Sequence, residues 1–149
     1  MSDPPAMART RRLILHAGTH KTASSDIQCR LRRSASLLAD QKIIYQFPDE
    51  DQWDFKQLVK AMSKERWGPW HSYLKRWSKT DADVLISAEQ FGPQLTCAGA
   101  VSALQTIARE HGFELTIVIF IRSQLDYINS RYGYLSLIHI SEPTRLHCI

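Results

Sequence analysis

The stretch LILHAGTHKTASSDIQ (Leu13–Gln28) runs from an apolar segment through a glycine and a lysine into a cluster of hydroxyl side chains. Those residue types in that order suit anion binding. A strand would end at Gly18, which lets the backbone turn; Thr19, His20 and Lys21 would form the loop. Thr22, Ala23, Ser24 and Ser25 would open a helix whose first N–H groups lack intrahelical partners and face outward. The helix dipole contributes roughly 0.3–1 kcal/mol to a negative charge held there. Each charge-assisted hydrogen bond from Lys21 or a hydroxyl contributes roughly 1.5–3 kcal/mol. A nucleoside triphosphate loop, GxxxxGK[ST], wraps its phosphates in a longer glycine cradle and sets its hydroxyl on magnesium. Here His20 stands where that second glycine would be, and only Gly-Thr-His separates strand from lysine. The tighter loop suits a smaller anion, such as a terminal 5′ group without a triphosphate tail. The plainer alternative is a strand–helix turn that happens to carry a lysine.

A second constellation lies in IRSQLDYINSRY. Arg122 closes an apolar run, and Ser130 follows about two helical turns later, on the face that carries Ser123 and Tyr127. A guanidinium and a hydroxyl on one rigid edge make a clamp for a phosphate monoester. Taken singly the two are a surface pair; together with the first loop they suit a ligand with an anionic group at each end. Glu89, in LISAEQF, follows another apolar run and is a candidate general base for an acceptor hydroxyl. It could equally serve as a helix N-terminal carboxylate or a partner for Lys21. His20 and His16 are further candidates for the base, although His16, inside a strand, reads first as a core histidine.

These groups need elements to position them. RLILHA (Arg12–Ala17) predicts a buried strand, and Ile27, Leu31, Ala35 and Leu38 then mark one face of a helix beginning near Thr22. KIIYQF (Lys42–Phe47) predicts a second strand, ended by Pro48. DEDQWDFKQLVKAM and WGPWHSYLKRWSK predict two helical segments broken around Gly68-Pro69. DVLISAE (Asp83–Glu89) is a third strand. A helix over Ala100–His111 stops at Gly112. FELTIVIFIR (Phe113–Arg122) is a fourth, apolar strand, with a helix after it. Continuous apolar strands alternating with helices predict an α/β domain with a mostly parallel sheet, buried on both faces. Ligands of such sheets sit beyond the carboxyl ends of the strands. His16–Ser25, Ser87–Phe91 and Arg122–Ser130 are therefore expected along one edge.

Composition narrows the classes. The chain has 149 residues, enough for one domain with a core, and a net charge of +4. That charge suits an anionic ligand and is too mild and scattered to indicate nucleic acid. Arg9, Arg11 and Arg12, and then Arg30, Arg32 and Arg33, read as solvated basic faces. Cys29, Cys97 and Cys148 form neither a disulfide framework nor a zinc pattern, which makes a cytoplasmic location the simplest inference. The longest apolar run, Leu115–Ile121, is too short for a membrane span. Trp53, Trp67, Trp70 and Trp77, with Tyr73, read first as helix-packing core and second as a platform for a sugar ring.

GTHKTASSDIQ is similar to the 5′-phosphosulfate loop of the sulfotransferase family, usually Lys-Thr-Gly-Thr-Thr after a strand. IFIRSQLDYINSRY resembles that family's 3′-phosphate motif, an arginine ending a strand and a serine at the same interval. The likeness covers nearly all of Arg11–Tyr134 and departs at Ala23, Ser24 and Ser25, where Gly and two Thr are usual. It implies a three-layer α/β sandwich of the P-loop type. It also implies sulfuryl transfer from 3′-phosphoadenosine 5′-phosphosulfate (PAPS) to a hydroxyl or amine, on a small-molecule or carbohydrate acceptor, without a metal. Lys21 would act on the oxygen bridging phosphorus and sulfur, the loop from Gly18 to Ser25 would hold the 5′ end, and Arg122 and Ser130 the 3′-phosphate. The rival readings are another phosphate-binding enzyme of the P-loop class, such as a small kinase, and a non-catalytic anion-binding module.

The last residues carry a different likeness. LSLIHISEPTR (Leu135–Arg145) resembles the in-frame translation of a transposase adapter used in preparing sequencing libraries. On that expectation residues 1–134 are the N-terminal part of a sulfotransferase-like domain, incomplete at its C-terminus, and 135–149 stand outside the fold. The family's C-terminal nucleotide-covering loop would then fall beyond Tyr134, and the chain is expected to be inactive as it stands.

Overall fold

A computed structural model describes residues 9–18, 24–48, 54–121, 123, 125–126 and 128–129, with residues 24 and 25 described in their backbone alone. It is a three-layer α/β sandwich. The elements are β1 (Arg11–Gly18), α1 (Ser24–Arg33), α2 (Ala35–Asp40), β2 (Ile43–Ile44), α3 (Lys56–Ser63), α4 (Gly68–Trp77), β3 (Asp83–Ala88), α5 (Phe91–Gln94), α6 (Ala98–Glu110) and β4 (Phe113–Phe120). The four strands pair in the order β2-β3-β1-β4, all parallel.

The alternation of apolar side chains decides what each face of the sheet buries. Leu13, Leu15 and Ala17 of β1 lie in register with Val84, Ile86 and Ala88 of β3, and all six are buried. Against that face pack Leu58, Met62, Trp70, Leu74, Phe91 and Leu104. Each such side chain contributes roughly 1.5–3 kcal/mol by leaving water. On the other face, Ile14 and Leu85 are half-buried, whereas His16 and Ser87 are fully buried.

The structure departs from the sequence expectations at several places. The long helix through Leu38 breaks at Ser34, whose ψ of 14° ends α1 before α2 begins. The second strand pairs only over Ile43–Ile44, because Lys42 takes a φ of 58° and the chain leaves the sheet before Tyr45. The two helical segments are broken just before Gly68-Pro69, which starts α4, where proline's missing N–H costs nothing, and the turn between them is made at Glu65, with a φ of 53°. Burial on both faces holds for β1 and β3 and fails for the far end of β4, where Ile119 and Phe120 are 49% and 48% exposed. Gly112 does stop α6, with a φ of 78°.

The basic arm is likewise not a solvated face. Arg11 donates to the carbonyls of Ser78 and Thr80 at 2.7 and 2.8 Å and lies over the Phe113 ring at 4.6 Å. Arg9 and Arg12 converge on Asp83, at 2.6 and 2.8 Å. These guanidiniums brace the amino-terminal end of the sheet, opposite the end where a ligand is expected.

Candidate functional site

The carboxyl ends of β1, β3 and β4 stand side by side. His16 is opposite Ser87 and Ala17 opposite Ala88 across β1 and β3, while Gly18 is opposite Phe120 across β1 and β4. The strand that leads toward Lys21 and the strand that leads toward Arg122 therefore end as neighbours. β3 ends beside them and delivers Glu89. α5 presses the turn after Glu89 onto the same spot: a Cβ on Gly92 would stand 3.4 Å from the Gly18 carbonyl oxygen.

Among the sequence-predicted residues, Gly18 and Glu89 are thus brought to one rim. The backbone of Ser24 and Ser25 opens α1, the helix that follows β1 in the chain. Asp26, in the first turn of that helix, accepts a hydrogen bond from Arg30 Nε at 2.9 Å, which reduces its opposition to an anion at the helix tip. Thr19, His20, Lys21, Thr22, Ala23, Arg122 and Ser130 lie outside the described residues, as do Trp53 and the 135–149 segment. Trp70 and Tyr73 are core: both are buried, and Trp70 Nε1 donates to the Leu58 carbonyl at 3.0 Å. Trp67 and Trp77 pack against the same core.

His16 is more than a core histidine. Its Nδ1 lies 2.7 Å from Ser87 Oγ, both residues being buried, and its ring meets the Phe120 ring in a T-shaped contact with centroids 5.2 Å apart. Nε2 is buried and has no hydrogen-bond partner among the described residues. Burial lowers the His16 pKa, and the Glu89 carboxylate pulls it the other way. The imidazole is therefore neutral near pH 7 and senses the charge of the candidate base.

Sequence reasoning missed a cavity beside this pair. It measures about 240 Å³ and opens between α1, the residues after β2 and the end of β3, with Ser87 and Ala88 in its wall. Gln28 and Arg32 reach it from α1, Asp54 and Lys56 from the start of α3, and Gln90 from the turn after Glu89. Tyr45, Phe47 and Phe55 supply its apolar side and pack on one another with ring centroids 4.9–5.6 Å apart. The one available signal was the aromatic run after the second strand, YQF, which alone cannot be told from core. A wider hollow of about 800 Å³, lined by Arg11, His71 and His111 among others, lies at the opposite, amino-terminal end of the strands.

Among the described residues no group of three His, Cys, Asp or Glu side chains is placed to hold a metal ion. No described helix is long and apolar enough to cross a membrane. No family model matches this chain, and neither a curated protein nor a solved structure matches it.

Proposed function

We propose that this chain carries the donor site of a sulfotransferase, which moves a sulfuryl group from PAPS to a hydroxyl or amine acceptor. The observation that carries the reading is the shared rim: β1, β3 and β4 end side by side, and the two anion motifs and the candidate base all follow those ends in the chain. An open parallel sheet binds its ligands there. The first amides of α1 lack intrahelical partners, as at any helix start, and Asp26 in that turn is held by Arg30.

Bound there, PAPS supplies an activated sulfuryl group. The loop Gly18–Ser25, including Thr19, His20, Thr22 and Ala23, holds its 5′ end, and Arg122 with Ser130 holds the 3′-phosphate. Lys21 stabilises negative charge on the oxygen that bridges phosphorus and sulfur. Glu89 is the base for the acceptor.

The test is calorimetric titration of the full chain with 3′,5′-bisphosphoadenosine in the presence of a metal chelator. Binding that Lys21→Ala and Arg122→Ala each weaken at least tenfold is the expected result. Binding of ATP that requires magnesium, with none of the bisphosphate, would replace this reading with the kinase. Bisphosphate binding to a chain that transfers no sulfuryl group, even when fused to the nucleotide-covering loop of an active sulfotransferase, would leave an anion-binding module.

A further inference from the structure

We propose that the 240 Å³ cavity between α1 and the end of β3 is the acceptor site, that it takes a compact polyhydroxylated molecule of about one sugar ring, and that Ser87 receives one of its hydroxyls. The acceptor role rests on the sulfotransferase reading above; the ligand class rests on the cavity itself.

Size comes first. Pockets for drug-sized ligands run from about 300 to 1,000 Å³, so this one suits something smaller. Its position is right for an acceptor, because Ser87 and Ala88 in the wall are followed directly by Glu89 on the rim. Its chemistry is mostly polar. Gln28, Arg32, Asp54, Lys56 and Gln90 line it with amide, carboxylate and cationic groups, while of the aromatic wall Tyr45 and Phe55 are nearly fully buried and Arg32 lies over the Phe47 ring at 5.5 Å. A sugar or other small polyol carries a girdle of hydroxyls that can donate to and accept from these groups. Asp54 and Lys56 pair with each other at 3.0 Å and keep further lone pairs and N–H groups for such a ligand, whereas a flat phenol or a long alkyl amine offers one polar group and would use few of them.

Ser87 gives the cavity a defined hydrogen-bond sense. If the His16 proton sits on Nδ1, it donates to Ser87 Oγ and leaves the Nε2 lone pair buried without a donor among the described residues. If it sits on Nε2, that N–H can face the Phe120 ring, and the Ser87 hydroxyl donates to Nδ1. The second tautomer satisfies more groups. It also spends the Ser87 proton inward, so Ser87, 3% exposed in the cavity wall, can offer a ligand only an acceptor oxygen. A ligand hydroxyl, which can donate, fits it; a carbonyl or ether oxygen does not. His16 is thus a positioning residue and Ser87 the residue that touches the acceptor.

The experiment uses the full chain and the probe methyl β-D-glucopyranoside, with 4-nitrophenol as the rival class, followed by saturation-transfer NMR and by shifts of the Gln28 and Gln90 side-chain amide signals. The sugar should perturb those amides and the phenol should not. Ser87→Ala should weaken the sugar about tenfold. Gln90→Trp, an exposed rim position that cannot unsettle the core, should block it outright. His16→Gln, whose amide can still offer an acceptor to Ser87, should retain binding, whereas His16→Phe should weaken it about as much as Ser87→Ala does. A purely structural role for His16 would not separate these two variants at matched thermal stability. The 3′,5′-bisphosphoadenosine affinity, measured on the same samples, keeps the two proposals apart. Nucleotide binding without any sugar effect at tens of millimolar, or tighter binding of the phenol, would overturn the cavity assignment and spare the donor site. Sugar binding without nucleotide binding would keep the sugar site and remove its role as acceptor.

Discussion

His16 and Ser87, 71 residues apart in the chain, face each other across adjacent parallel strands with Nδ1 2.7 Å from Oγ. Burial depresses the His16 pKa below its ordinary 6.5, against the pull of Glu89. The unfolded chain then binds this proton more readily than the folded one. The stability from keeping His16 neutral is complete above about pH 6.5 and is lost as pH falls through the folded value. His111, lowered by burial and then by the charge of His71, acts in the same direction. The urea midpoint should therefore drop between pH 7.5 and 5.5, and His16→Gln should make that drop shallower without removing it. An unchanged slope in the variant would mean that His16 is not the group titrating.

Asp83 ties the amino-terminal end of β3 to β1. It is 1% exposed, and it accepts the Arg12 backbone N–H at 2.8 Å as well as the Arg9 and Arg12 guanidiniums. Burial raises its pKa, but the hydrogen bonds and charge of Arg12, with the charge of Arg9, outweigh that and hold it below the usual carboxylate range. Its contribution is present above the unfolded carboxylate pKa and fades as pH falls through the folded one. Because both arginines are about half exposed, Asp83→Asn should cost only about 1–3 kcal/mol, read as a fall in urea midpoint at pH 7 that shrinks toward pH 3.

Gly112 should not tolerate a side chain. Its φ of 78° is disfavoured for other residues, and an added Cβ would collide with the Arg11 guanidinium that caps the Ser78 and Thr80 carbonyls. Gly112→Ala should destabilise by about 1–3 kcal/mol. Arg11→Ala in the same chain should relieve the collision but not the backbone strain, so the double variant should lose less than the sum of the singles.

β4 is an edge strand among the described residues, and Ile119, Phe120 and Ile121 are 49%, 48% and 88% exposed there. An apolar edge of this kind is a template for pairing with another chain. The protein should associate with rising concentration in sedimentation experiments, and Ile119→Lys should suppress that association while leaving the thermal midpoint within about 1 °C, as an exposed substitution does. A monomer at all concentrations would show that the edge is covered.

Much of the architecture is legible in the residues. The buried strand β1, the stop at Gly112 and the apolar run of β4 follow from backbone stereochemistry and continuous apolar runs, which act within a few residues. Short-range rules left a choice open where two of them competed. Gly68-Pro69 can break or begin a helix, and the choice fell to the packing of Trp70, Tyr73 and Leu74 against the core. Arg9, Arg11 and Arg12 look like any solvated basic run until β3 and the end of α4 come within reach of them.

The sequence by itself determined that strands and helices alternate, and that the anion-type loop after Gly18, the Glu89 turn and the Arg122 segment each follow the carboxyl end of a strand. Strand order belonged to the tertiary structure. By setting β1 between β3 and β4, it made partners of His16 and Ser87, seated Gly18 beside Phe120, and enclosed the cavity next to Ser87. The physical reason is range: turn and helix preferences are settled by neighbours in the chain, whereas register and strand order depend on how the whole apolar surface is best buried at once.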